Sequence, residues 1–273
     1  MQKEKYKPTP GVTLRALLIA TILIPVNCYW VIEMEVIRYS GHPVTISLFF
    51  NVIFSVLVLT ALNFGIKKFL PNFALTQSEL LVVYVMVSLA SGIAGHDMLE
   101  ILVPMLGHPF RFATAENEWT EIFYPYLPRW LMVSDDKILR GYYEGEISLY
   151  TREQLWGWAS PVLWWTAFSF ALVFGMLCIN VIVRKRWTEQ EKLSYPIIQL
   201  PLEMTNTANM QFFKNRVLWI GFGVAAGLTI LNGINFLFPT VPELRTRVQN
   251  FGYLLTEKPW NALGGLPVSF YPF

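Results

Sequence analysis

The chain has 273 residues, of which 54% are hydrophobic and only 15% are charged. A soluble domain usually carries about 25% charged residues, so this composition excludes an ordinary cytosolic protein, and its apolar content excludes intrinsic disorder. The formal charge of +2 is too balanced to indicate a nucleic-acid partner. A mean hydropathy of +0.42 therefore predicts an all-α integral membrane protein.

Five segments are predicted to cross a membrane, because a spanning helix needs about 20 predominantly apolar residues. The third leaves two alternatives open: a tilted span with polar residues near one end, or a span followed by a re-entrant piece. Together they form one membrane domain over residues 1–273. The predicted spans are residues 14–37, 45–66, 78–104, 156–183 and 217–241, with an outer loop at 105–155 and an inner loop at 184–216.

Basic residues predict the orientation of the spans. Lys67 and Lys68 follow the second span, and Arg184, Lys185 and Arg186 follow the fourth. Because short cytoplasmic loops are enriched in Lys and Arg, we expect the N-terminus and the inner loop in the cytoplasm. An odd number of spans then places the outer loop and the C-terminus outside.

Ionisable residues near the spans are candidates for an ion or substrate site, since each costs about 2.5–3.5 kcal/mol at a helix centre. Glu33 and Glu35 lie near the outer end of the first span, where either solvation at the interface or proton or cation binding explains them. His96, Asp97 and Glu100 are spaced to share roughly one side of a continued helix. They are predicted to bind a cation or relay a proton, with a satisfied helix-end network as the alternative. The identity of any metal stays unknown, because no second histidine stands at ligand spacing.

The outer loop is rich in aromatic residues and prolines, which predicts a folded cap rather than a flexible linker. Asp135 and Asp136 are typical of a helix start, and Gly141 is predicted to end that short helix. Aromatic anchoring at the membrane interface and a lid over a substrate path are the two interpretations.

The inner loop contains Thr188 and Glu191 at capping-box spacing, which predicts a helix start, and Pro196 is predicted to stop that helix. Residues 197–204 are then expected to form short amphipathic pieces along the surface. The segment is either an interfacial connector or a gate that packs under the helices.

Two amides, Asn232 and Asn235, lie three residues apart in the fifth span. Interhelical hydrogen bonds explain them at about 1 kcal/mol each, and contact with a substrate is the alternative.

Two stretches carry a family resemblance: SGIAGHDMLEILVPMLGHPFRFATAENEW around His96, and RWTEQEKLSYPIIQLPLEMT over residues 186–205. They resemble an uncharacterised family of multi-spanning bacterial and archaeal membrane proteins. That family is distantly similar to the oligopeptide transporter superfamily, whose members carry peptides or metal chelates and have an acidic residue before a Leu-x-Tyr/Phe-Pro element. The residues that match this element are Glu191, Leu193, Tyr195 and Pro196.

The resemblance implies that members continue with further spans, so this chain is expected to be the N-terminal portion of a larger protein in the cytoplasmic membrane of a prokaryote. It also implies secondary, ion-coupled transport of a peptide or metal chelate, or half of such a transporter. A structural or assembly subunit of a larger complex is the alternative. Partners are then the lipid bilayer together with the missing C-terminal half, a second copy or other membrane subunits.

Enzyme activity is not expected. The sequence contains no G-x-x-x-x-G-K-[ST] phosphate loop, no G-x-S-x-G element and no paired-cysteine metal motif. We accordingly expect no cofactor.

Overall fold

The computed structural model describes residues 11–45, 48–145, 147–192, 194–206, 211–242, 244, 249–263, 265 and 267–268. The chain forms two compact units, Met1–Ala208 and Asn209–Phe273. The α-helices of the first unit are α1 Leu14–Ile32, α2 Phe50–Phe69, α3 Gln77–Ala94, α4 Leu99–Arg111, α5 Trp119–Ile122, α6 Asp136–Tyr143, α7 Arg152–Lys185 and α8 Pro196–Met204.

The second unit contains α9 Gln211–Lys214 and α10 Arg216–Leu237, followed by two antiparallel two-residue strands, β1 Gln249–Asn250 and β2 Pro267–Val268. Shorter helical turns complete the chain. The 3₁₀ turns are Pro71–Phe73, Tyr124–Tyr126, Arg129–Leu131, Gly252–Leu254 and Trp260–Leu263, and the π turns are Glu33–Ile37 and Arg186–Gln190.

Among the described residues, five helices are long and apolar enough to cross a membrane, which confirms the number of predicted spans. The first matches the prediction at both ends, and the others differ by a few residues at their ends. The third is divided, because α3 ends at Ala94 and α4 begins at Leu99. The five candidate spans are Leu14–Ile37, Phe50–Phe69, Gln77–Arg111, Arg152–Gln190 and Arg216–Leu237.

Three helices, α1, α2 and α3, pack together through narrow stripes of small residues. On α3 the stripe is Leu80, Val83, Val87 and Ser91, which are buried at the three- and four-residue spacing of one helix face. Most large apolar side chains on the other faces are exposed, as expected for helices surrounded by lipid.

The predicted outer loop forms a folded cap with a core of its own. Leu106, Leu139 and Trp158 belong to one buried cluster contributed by α4, α6 and α7. Tyr143 joins the cap to α4, because its O–H donates to the Pro104 carbonyl at 2.7 Å. Burial raises the pKa of Tyr143.

Two predicted details of these loops are wrong. Helix α6 does not end at Gly141 but continues to Tyr143, because Gly141 packs closely against Gln154 of α7 instead of turning the chain. Thr188 does not start a helix either, since α7 runs on into the π turn that contains it and its hydroxyl donates to the Arg184 carbonyl at 2.7 Å.

Helix α8 begins at Pro196, where the sequence predicted that the preceding helix would stop. It forms one helix where the sequence predicted separate short pieces. Proline suits the first position of a helix, since the amide hydrogen that it lacks would have no partner there. The helix contacts α2 and α3, and Gln77 of α3 donates to the Leu202 carbonyl at 3.0 Å. Helix α8 therefore packs against two of the candidate spans.

Candidate functional site

Polar side chains interrupt the α1–α2–α3 packing at three levels: near Glu79 at the start of α3, near Ser91 toward its end, and beyond its end near Glu100. At each level, the hydrogen-bond partners show which polar side chains are satisfied within the fold and which are left without a donor.

At the first level, Glu79 is buried and fully satisfied. Its carboxylate accepts hydrogen bonds from Arg15 Nη2 at 2.7 Å, from Thr13 Oγ1 at 2.7 Å and from the Thr76 backbone N–H at 2.8 Å. Thr76 and Glu79 also form the complete capping box of α3. This network joins the first turns of α1 and α3, and it gives the carboxylate every partner that a buried charge requires.

At the second level, three neutral side chains bond one another between the helices. Asn51 Nδ2 donates to Asn27 Oδ1 at 2.9 Å and to Ser91 Oγ at 3.0 Å, and Asn27 Nδ2 donates to Ser91 Oγ at 2.7 Å. Asn63 of α2 fixes the following loop by bonding both the N–H and the C=O of Leu75. The bonds among Asn27, Asn51 and Ser91 fix the positions of the three helices relative to one another.

At the third level, Glu35 is 1% exposed and accepts two backbone hydrogen bonds. The Val44 N–H donates to Oε1 at 3.1 Å, and the His96 N–H donates to Oε2 at 2.8 Å. Glu35 lies in the π turn Glu33–Ile37 that extends α1.

A glycine makes this convergence of backbone groups feasible. A Cβ atom on Gly95 would lie 2.7 Å from Val44 Cγ2 and 2.9 Å from Val44 Cβ, so no larger residue fits without displacing the loop. Because Gly95 lets Val44 approach, the amides of Val44 and His96 both reach the Glu35 carboxylate.

Glu100 is the exception among the buried carboxylates. Its side chain is 5% exposed, yet neither oxygen accepts a hydrogen bond from any N–H or O–H of the described residues. It interacts instead with the Glu35 carboxylate, and its nearest basic group is His96, whose Nδ1 lies 3.8 Å from Oε2.

The energies show that this arrangement is unfavourable for two full charges. Two carboxylates about 4 Å apart repel by on the order of 4 kcal/mol at an effective dielectric constant of about 20. Glu100 stands in the first turn of α4, where the helix dipole favours a negative charge by only about 0.3–1 kcal/mol. The dipole therefore does not compensate the repulsion from Glu35.

Two imidazoles flank the carboxylates. The rings of His42 and His96 lie 5.3 Å apart, and the buried Nδ1 of His42 has no hydrogen-bond partner among the described residues. His96 is 45% exposed and thus connects the buried carboxylates to the surface. We call Glu35, His42, His96 and Glu100 the Glu–His cluster.

Metal binding was one expectation for this region. Within the part of the chain that the structure describes, no three His, Cys, Asp or Glu side chains are arranged to hold a metal ion.

Of the ionisable residues named near the outer ends of the spans, the structure brings Glu35, His96 and Glu100 together. His96 and Glu100 belong to the cluster, but Asp97 is exposed, since the predicted continuous helix is wrong and Asp97 lies in the turn between α3 and α4. Glu33 points away from the cluster and pairs with Arg38 at 2.7 Å.

In the second unit, Asn232 and Asn235 bond the loop after their own helix. Asn232 binds both the N–H and the C=O of Leu244, each at 2.9 Å, and Asn235 Nδ2 donates to the Val241 carbonyl at 2.6 Å. These are local bonds within the unit, where the sequence predicted bonds between helices.

The predicted gate residues are spread along the chain before α8. Glu191 is exposed and pairs with Arg186 at 2.7 Å, Tyr195 precedes α8, and Pro196 is its first residue. Leu193 lies outside the described residues.

Sequence reasoning named Glu35 with Glu33, as a glutamate either solvated at the interface or binding a proton or cation, and it did not select His42. A signal for Glu35 was present, since Asn27, Val31 and Glu35 recur every four residues and so share one face of α1. No comparable signal marks His42, because an irregular loop carries it to His96.

The fold defines a predominantly helical protein with five helices suited to a membrane and a Glu–His cluster whose two carboxylates are buried. The chain belongs to DUF6785, a family of unknown function, which it matches over residues 6–273. Membership in an uncharacterised family is thereby confirmed, whereas the similarity to oligopeptide transporters stays a prediction. No curated protein and no solved structure matched the chain.

The contrast between two buried glutamates gives a direct test. We expect Glu79→Gln to lower the stability by about 2–3 kcal/mol, because it weakens the charge-assisted bonds from Arg15 and removes an acceptor of the capping box. The melting temperature of the purified protein in detergent should then fall by roughly 4–10 °C. Glu100→Gln should leave the melting temperature nearly unchanged, since it removes no hydrogen bond from a donor. Equal losses in both variants would contradict this assignment.

Proposed function

We propose that the protein is a secondary membrane transporter, or part of one, that couples the movement of a small solute to an ion. The observation that carries the proposal is the Glu100 carboxylate, which is buried beside Glu35 without a donor. A buried ionisable group inside a membrane segment is costly, and it is commonly part of an ion pathway. A cluster with a purely structural role would resemble Glu79, whose charge is satisfied.

The arrangement of the helices supports the same proposal. The third candidate span is interrupted between Ala94 and Leu99, beside the Glu–His cluster. Interrupted helices with polar groups near the middle of the membrane are common in secondary transporters. Helix α8 lies against α2 and α3 near the Arg15–Glu79 pair, where a gate would close the other end of the path.

The substrate class depends on the resemblance alone. The element Glu191, Leu193, Tyr195 and Pro196 is similar to the cytoplasmic element of oligopeptide transporters, which favours peptides or metal chelates as solutes. We propose no enzymatic reaction and no cofactor for this chain.

We further propose that the protein lies in the cytoplasmic membrane of a prokaryote, with the N-terminus and residues 184–216 inside and residues 105–155 outside. In a Cys28→Ala, Cys178→Ala background, Ser134→Cys should react with an impermeant maleimide on intact cells, and Ser194→Cys should react only after permeabilisation. Both serines are exposed, so access by the reagent depends on the membrane side. The reverse labelling pattern would refute the orientation.

Uptake into proteoliposomes tests the transport proposal. We expect Glu100→Gln and Glu35→Gln to reduce ion-driven accumulation of a transported peptide or metal chelate at least tenfold, because neither variant can change its charge at that position. The panel of solutes is tested under imposed proton and sodium gradients with the whole chain.

The controls are Asp97→Asn and Glu33→Gln. Each removes a carboxylate that is close in sequence to a cluster residue, one residue from His96 or two from Glu35, but lies outside the cluster, so accumulation should stay near wild type. Equal loss in the controls, or wild-type accumulation by Glu100→Gln, would contradict the role of the cluster. Failure to accumulate any peptide or chelate would contradict the substrate class.

A structural or assembly subunit is the second candidate, and one observation favours it. The most apolar part of α7 has no buried residue. The helix exposes large apolar side chains such as Phe170, Phe174 and Ile182. Such a surface is covered either by lipid or by another protein. Stable co-purification of other membrane proteins in a mild detergent, together with no uptake, would favour this function over transport.

A further inference from the structure

We propose that the coupling ion is a proton, which Glu35 and Glu100 share within the Glu–His cluster. This inference rests on the proposed function, since it names the ion that the transporter would use. The ligand is therefore a single hydrogen ion bound between two carboxyl groups.

The hydrogen bonds assign the proton to Glu100. Both oxygens of Glu35 already accept backbone N–H groups, at 3.1 Å from Val44 and 2.8 Å from His96, as an ionised carboxylate does. Glu100 accepts none from the described residues and faces Glu35. A protonated Glu100 is a donor, so its O–H completes the pair, whereas two ionised carboxylates would repel each other.

The groups around the pair do not supply an alternative positive charge. The basic side chain beside the pair is His96 from the turn before α4, and His42 from the loop after α1 lies against the His96 ring. Arg38 is engaged with Glu33 on the exposed side of the π turn. A hard metal cation prefers six or more oxygen ligands, which two carboxyl groups and two imidazoles do not provide.

The two histidines provide a route for the proton to the surface. His96 Nδ1 lies 3.8 Å from Glu100. Once the imidazole rotates into hydrogen-bond distance, Glu100 transfers its proton to Nδ1, leaving a carboxylate and an imidazolium. The imidazolium then releases the proton to water from its exposed side. The unpartnered Nδ1 of His42, beside the His96 ring, is a second acceptor on the same route.

Infrared difference spectroscopy of the full chain in lipid films tests this proposal without any solute. Between neutral and alkaline pH, the wild type should lose the C=O stretching band of one protonated, desolvated carboxylic acid. Glu100→Gln should abolish that band, and Glu35→Gln should shift its frequency because the acceptor changes. Asp97→Asn and Glu33→Gln should keep it unchanged.

Circular dichroism of each variant shows whether a lost band reflects a lost fold. If Glu100→Gln does not fold, the frequency shift expected for Glu35→Gln tests the proposal instead. A wild type without such a band, an unchanged band in Glu100→Gln, or its removal by sodium ions at neutral pH would each overturn the proposal. A band without uptake of any solute would refute transport and leave the proton site standing. Uptake without a band would refute the proton and leave transport standing.

Discussion

A carboxylate buried among apolar helices must be supplied with hydrogen-bond donors or give up its charge, and the structure of the first unit depends on this constraint. Glu79 shows the first solution. Its partners come from the first turn of α1, the start of α3 and the loop between α2 and α3, so one charge binds three segments together. Glu100, farther along the same candidate span, has no such donor among the described residues.

The geometry around Glu100 follows from a series of local departures from regular helix. The π turn at the end of α1 contains the buried Glu35, and the interruption of the third span after Gly95 frees the His96 amide to bond it. Gly95 also leaves room for Val44, whose N–H donates the second hydrogen bond to the Glu35 carboxylate. With both backbone donors given to Glu35, none is left for Glu100. The irregular backbone thus produces two adjacent carboxyl groups with unlike surroundings.

The sequence predicted the five apolar helices, because hydropathy over about 20 residues is a local signal. It did not predict that Asp97 leaves the cluster, since a helix interruption at Gly95 depends on tertiary contact with Val44. It also missed His42, which reaches His96 only through the fold of an irregular loop. Long-range contacts between loops leave no periodic trace in a sequence.

We propose that Glu79 and Glu100 are buried in one candidate span in opposite chemical states, the first ionised and the second protonated. The ¹³C chemical shifts of the two side-chain carboxyl carbons test this, recorded from neutral to alkaline pH in lipid and assigned with Glu79→Gln and Glu100→Gln. The Glu100 signal should move from the value of a carboxylic acid to that of a carboxylate while the Glu79 signal stays constant. Two signals that both remain at the carboxylate value throughout would contradict it.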